Sequence, residues 1–185
     1  MRSRGAVCAL ASLLLSFGFL ASACSAKVGG EPSLGGGAGP VSTSLQEEVD
    51  LSSLDLCDIL TSSDLSVLGI GEPGKPEKGI GESGCRFESE DYILDVLSNP
   101  DEGISFYEER ADIYDVFERN EVNGRPGAVV VVSGGKGNGL CRQAFEVGAG
   151  NISASLTYRF GKYQGVDVCA EALRVAQLVE SRLPR

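Results

Sequence analysis

Four cysteines in the body of the chain, Cys57, Cys85, Cys141 and Cys169, constrain the fold more than any other feature. Whether they pair depends on the compartment. Arg2 and Arg4 precede an uncharged stretch from Gly5 to Ala26 whose apolar centre, Ala6 to Leu20, reads as a secretion signal. That centre is about 15 residues long, short of the roughly 20 that span a bilayer core. An even set of cysteines in an exported chain implies two disulfides. Three connectivities are open. The equal 28-position spacing favours Cys57 with Cys85 and Cys141 with Cys169, each pair joining a helix to a nearby strand. No two of the four stand as C-x-x-C and the chain has no histidine, which argues against a metal site and against redox chemistry.

The signal ends in Leu20-Ala21-Ser22-Ala23-Cys24, small residues directly against a cysteine, and this resembles the bacterial lipoprotein signal. In such proteins the cysteine thiol receives a diacylglyceryl group and becomes the new N-terminus. The resemblance implies lipidation at Cys24 and a membrane anchor on the outer face of the cytoplasmic membrane, since two acyl chains anchor stably where one binds marginally. Ala21 departs from the pattern, where Leu is preferred. Ala21-Ser22-Ala23 also reads as an ordinary A-x-A cleavage site, which would yield a freely secreted product. Both routes cut before Cys24. Residues 1–23 are thus expected to be a lipoprotein signal peptide. Residues 24–48, rich in Gly, Ser and Pro, are expected to be the lipidated cysteine and a disordered tether of roughly 25–30 Å. Residues 49–185 form a single domain.

That domain reads as α+β. Asp55 can cap a helix starting at Leu56, restarted at Ser62 or Ser63 and stopped at Gly69. The glycine-rich run 69–84 reads as a polar loop. Cys85 and Phe87, then Tyr92, Leu94 and Val96, alternate around a turn at 89–91. Asn99-Pro100 with Glu102 resembles the start of a helix on which Ile104, Tyr107, Ala111 and Tyr114 recur. Strands are expected at 116–122, 128–133, 140–147 and 152–160, with turns at Asn123-Gly124, 134–139 and 148–151. The run Val129 to Val132 requires cover on both faces of the sheet. Asp167 caps a closing helix with Cys169, Leu173, Ala176, Val179 and Leu183 on one side. The sum is a largely antiparallel sheet packed by N-terminal and C-terminal helices and held by two disulfides.

Charge and composition narrow the function. With 26 acidic and 16 basic residues the chain repels nucleic acid. The missing histidine removes the usual general base and the Ser-His and Cys-His pairs. Gly69 to Gly74 satisfies G-x-G-x-x-G and Gly69 to Lys75 satisfies G-x-x-x-x-G-K. However, a phosphate loop must follow a strand and open a helix, and here Pro73 removes a donor and Pro76 stands in the Ser/Thr position. Glu88, Glu90, Asp91 and Asp95 could supply a glycosidase acid and nucleophile, but the alternation puts Glu88 and Glu90 on the outward edge. No calcium loop is present, and Asn151-Ile152-Ser153 is a sequon only by pattern. Neither a cofactor nor a metal is expected.

Leu56-Cys57-Asp58-Ile59-Leu60-Thr61 with Asp64-Leu65 and Leu68-Gly69, then Cys85-Arg86-Phe87, Val122-Asn123-Gly124-Arg125-Pro126, Cys141 and Asp167-Val168-Cys169-Ala170, form an ordered set. Over about residues 50–184 this resembles the actinobacterial lipoprotein family called domain of unknown function 3558. Phe87 stands where that family would have Trp. The resemblance implies location, fold and disulfides and carries over no catalytic residue. The expectation is a membrane-anchored, extracytoplasmic, non-catalytic binding or interaction module, its partner an envelope protein or small ligand, its oligomeric state open. The alternative is a cell-envelope, carboxylate-based hydrolase of glycosidase type.

Overall fold

The computed structural model describes residues 49–184; the signal peptide expected at 1–23 and the lipidated Cys24 and tether expected at 24–48 lie outside the described residues. Residues 56–60 form turns, and the first helix, α1, is Ser62–Val67. Its start is set by Thr61, not by Asp55, Ser62 or Ser63. Thr61 and Asp64 form a reciprocal capping box, the Thr61 hydroxyl accepting from the Asp64 N–H and Asp64 accepting from the Thr61 N–H. Asp55 instead accepts from the Cys57 N–H and turns the chain before the first disulfide. The helix ends in a Schellman motif: Gly69 has φ +66°, its N–H donates to the Ser66 carbonyl, and the Ile70 N–H donates to that of Leu65.

Seven strands follow in the order β1 Lys75–Lys78, β2 Ser83–Glu88, β3 Tyr92–Asn99, β4 Tyr114–Val122, β5 Arg125–Val132, β6 Leu140–Val147 and β7 Gly150–Tyr158. Between β3 and β4 lie a short helix, α2 Ser105–Glu108, and a 3-10 turn, Ala111–Ile113. The chain closes with α3 Val168–Ser181, capped by the Asp167 carboxylate on the Ala170 N–H. Every pairing is antiparallel, and the spatial order is β1-β2-β3-β7-β6-β5-β4. The sheet is two meanders joined along β3 and β7. Asn123 and Gly124 both take positive φ, as a two-residue hairpin turn between β4 and β5 requires.

Side chains alternate across the sheet, so each face has its own character. On one face Phe87, Leu94, Val96, Phe145, Ile152 and Leu156 are buried with Ala172, Val175, Ala176 and Val179 of α3. Helix α3 lies across β6 and β7 and reaches β4. Both disulfides belong to this side, Cys57 joined to Cys85 on β2 and Cys141 on β6 joined to Cys169 at the start of α3. Spanning 28 positions, each contributes about 3.6 kcal/mol in the chain-entropy account. On the opposite face a smaller cluster forms where Ile104 and Tyr107 settle on Ala128, Val130 and Ala144. Small side chains there leave room for the backbone around α2 to approach.

Three expectations need correction. The N-terminal helix does not pack the sheet: it is six residues long and buries only Asp64 of its own side chains, so α3 is the packing helix. The run 69–84 contains a strand, β1, whose alternating charges and Pro76 suit an exposed edge. The helix expected from Pro100 shrinks to the four residues of α2, because Asn99 accepts from the Asp101 and Glu102 N–H groups in a tight turn and Gly103 follows. Val129 to Val132 are covered on both sides over their middle, as expected, although β5 pairs with the edge strand β4 and Val132 is exposed.

Candidate functional site

The motifs singled out in the sequence are dispersed by the fold. In the glycine run Gly69 ends α1, while a side chain at Gly74 would collide with the Cys85 sulfur and the Phe87 ring; packing against the disulfide accounts for the glycine. Glu88, Glu90 and Asp91 are exposed at the β2–β3 turn, Glu88 paired with Arg159 and Asp91 with Lys162. Asp95 lies further down β3 in a bidentate pair with Arg86, at 2.7 and 3.0 Å. These four carboxylates do not gather around one hollow. Asn151 is buried and its amide donates to the Glu102 carbonyl at 2.6 Å, so it cannot carry a glycan in this fold. The 134–139 segment is a hairpin turn, fixed by the Lys136 N–H donating to Asp115.

The structure instead assembles residues that none of those motifs contains. Cross-strand partners share a face, and one row across the face away from α3 reads Arg86, Asp95, Ser155, Arg142, Val130, Phe117. Arg142 stands near its middle. Its Nε–H donates to the Ser155 hydroxyl at 2.8 Å, and its Nη1 donates to Glu82 at 2.7 Å and to the Tyr107 hydroxyl at 2.9 Å. Its Nη2 donates to the second Glu82 oxygen at 3.3 Å. Glu82 comes from the β1–β2 turn and Tyr107 from α2, so one guanidinium ties three separate elements together. The side chains of Arg142 and Glu82 are only 26 % and 15 % exposed. A pair that deep in the protein requires its partners to be geometrically satisfied.

Electrostatics fix the roles of these groups. Burial, with Glu82 adding to it and Arg142 opposing, pushes the Tyr107 hydroxyl up to about 12. Burial works against the Arg142 charge, but Tyr107 and Glu82 outweigh it and hold the guanidinium above its ordinary range. At physiological pH both act as hydrogen-bond donors. Above them lies a cavity of about 140 Å³ lined by Ile80, Glu82, Asn99, Phe106, Tyr107, Tyr114, Val130, Val132 and Arg142. Its rim is apolar: Ile80 is fully exposed at the tip of the β1–β2 turn, and Val132 is half exposed. Larger hollows of about 260 and 280 Å³ lie beside the Gly137–Gly139 turn and beside Leu51, but neither encloses such a polar network.

Sequence reasoning passed over this set for traceable reasons. Glu82 belongs to a glycine-rich segment read as loop, and Tyr107 to an apolar spacing read as a longer helix. Arg142 did carry a signal. It stands between Cys141 and Gln143 on a strand whose even and odd positions face opposite ways, so it must point away from the disulfide and the core.

Fold and site together define a disulfide-stapled, antiparallel-sheet domain with one face closed by a helix and the other organised around a clamped arginine. The chain belongs to the family described as protein of unknown function (DUF3558), whose family model matches residues 19–182. Comparison with curated proteins and with solved structures gives no match.

Proposed function

We propose that the protein is a lipid-anchored, extracytoplasmic lipoprotein of actinobacterial type, and that its domain is a non-catalytic binding or interaction module on the outer face of the cytoplasmic membrane. The anchoring half rests on the sequence: the signal pattern of residues 1–23, Cys24 at its end and a tether-like segment behind it. Two disulfides in a chain of this size agree with an oxidising compartment. The binding half rests on a single observation. The sheet face away from α3 holds a cavity with an apolar rim over a fixed polar floor, the combination that small-ligand and partner sites use. The carboxylates Glu88 and Glu90, on which a hydrolase reading depends, stand exposed at a turn, and neither lines this cavity.

Mass spectrometry of the native membrane fraction tests the anchor: the N-terminal peptide is expected to begin at Cys24 and to carry diacylglyceryl, and an unmodified N-terminus removes that reading. For the face, a photo-crosslinking residue at Val132 in the native envelope is expected to give an adduct that the same residue at Gln177, exposed on α3, does not. Equal labelling from both positions, or none, defeats it.

A further inference from the structure

The cavity floored by Arg142 also restricts the chemistry of what it holds. We infer that it takes one uncharged, benzene-sized ring bearing a single hydrogen-bond acceptor beside the ring, an inference that rests on the reading of this face as a binding site. Three observations lead there. The first is size: at about 140 Å³ the space matches one ring, since an apolar protein cavity of about 150 Å³ accommodates benzene. The second is the wall. Phe106, Tyr107 and Tyr114 present aromatic surface, with Phe106 edge-on to Tyr107 at 5.2 Å and Tyr107 tilted against Tyr114 at 6.3 Å. An incoming ring extends this series in the offset and edge-to-face geometries that aromatic rings prefer.

The third observation is the state of the floor. Glu82 already neutralises Arg142 at 2.7 Å, so an anionic ligand would have to displace that carboxylate, and a cationic one would be set against the guanidinium. Of the five guanidinium hydrogens, Ser155, Glu82 and Tyr107 engage four. The remaining one, on Nη2, has no acceptor among the described residues. Arg142 lines the cavity, and a neutral ligand oxygen that reaches this N–H completes its set. Ile80, raised between Gly79 and Gly81 at the mouth, adds apolar cover that a ring can use and a charged group cannot.

The ring can come from a free small molecule or from an aromatic side chain beside a peptide carbonyl, and the test separates these sources. The full chain, labelled in its Ile and Val methyl groups, is titrated with acetophenone, toluene, benzoate, benzylammonium and N-acetylphenylalaninamide, and followed by NMR. Acetophenone is expected to shift Ile80, Val130 and Val132 saturably while leaving Val179, on the buried face of α3, unmoved. Toluene, lacking the acceptor, is expected to bind several-fold more weakly, and the two charged probes at least tenfold more weakly. Val132→Asp, a change at an exposed rim position, is expected to weaken acetophenone by at least tenfold without moving Val179. Tighter binding of N-acetylphenylalaninamide than of acetophenone identifies a partner's side chain as the source; the reverse identifies a free molecule. Equal binding of benzoate or benzylammonium, or an absence of saturable shifts at Val130, overturns the assignment. If that happens while crosslinking from Val132 still succeeds, the ligand class is wrong and the site remains; if both fail, the site itself is wrong.

Discussion

The two faces of the sheet are built from the same strands and do different work. On the α3 face the larger buried side chains are branched or aromatic, and the polar groups among them are satisfied: the amides of Gln143 and Asn120 bond each other both ways at 2.8 Å, and the Ser98 hydroxyl donates to the Ser83 carbonyl. On the other face Ala128, Ala144 and Ser153 are small, the next row is charged, and cover is partial. The strand β6 shows the division most plainly: Cys141, Gln143, Phe145 and Val147 face α3, and Arg142, Ala144 and Glu146 face away. Alternation lets one strand contribute to a stabilising core and to a recognition surface without compromise between them.

Substitutions three positions apart on β6, on its opposite faces, can break this comparison. Phe145→Ala removes a fully buried ring beneath α3 and is expected to cost about 4 kcal/mol in chemical denaturation. A loss below about 1 kcal/mol would mean that the core lies elsewhere. Arg142→Met should cost less, about 3 kcal/mol, and for another reason, since it strands the largely buried Glu82 carboxylate. Adding Glu82→Leu should recover most of that loss while leaving the cavity without its polar floor. A double variant no more stable than the single one would show that Arg142 acts as a packing residue.

The smallest expected effect concerns the tie between α1 and the end of α3, where Arg182 donates to Asp64 at 2.9 Å. Burial opposes the Asp64 charge, but hydrogen bonds from Thr61 and Arg182 outweigh it and lower the pKa from the ordinary 3.8. A lowered carboxylate contributes stability above its ordinary value and loses it as pH falls through the lowered one. Asp64→Asn should therefore cost about 1.5 kcal/mol at neutral pH, and the gap from wild type should close below pH 3.8. A gap that persists in acid would assign the effect to lost cap geometry rather than charge.

Much of the fold was legible because its signals are local. Strands β2 to β7 follow from alternation and turn residues, and α3 from Asp167 and its apolar stripe. What escaped depends on contacts distant in sequence. β1 has no apolar alternation and is a strand only because β2 supplies its hydrogen bonds. The stretch after Pro100 has helical spacing, yet Ile104 and Tyr107 are apolar because they settle on Ala128 and Ala144, reached through β4, β5 and β6. The site was illegible for the same reason: Glu82, Tyr107 and Arg142 are 60 and 35 positions apart along the chain and meet only because β6 lies inside the sheet.

The disulfide pattern has a mechanical meaning. A pull on the two ends of the domain passes from Cys57 straight to Cys85 and from Cys141 straight to Cys169, each staple short-circuiting 28 positions, roughly 90 Å of extended chain. The load runs through β3, β4 and β5, while the stretches 58–84 and 142–168 hang outside it. Glu82, Arg142 and Ser155 lie in the shielded stretches and Tyr107 lies in the loaded one, so tension on the domain falls on the Arg142–Tyr107 hydrogen bond and leaves the Arg142–Glu82 pair unloaded.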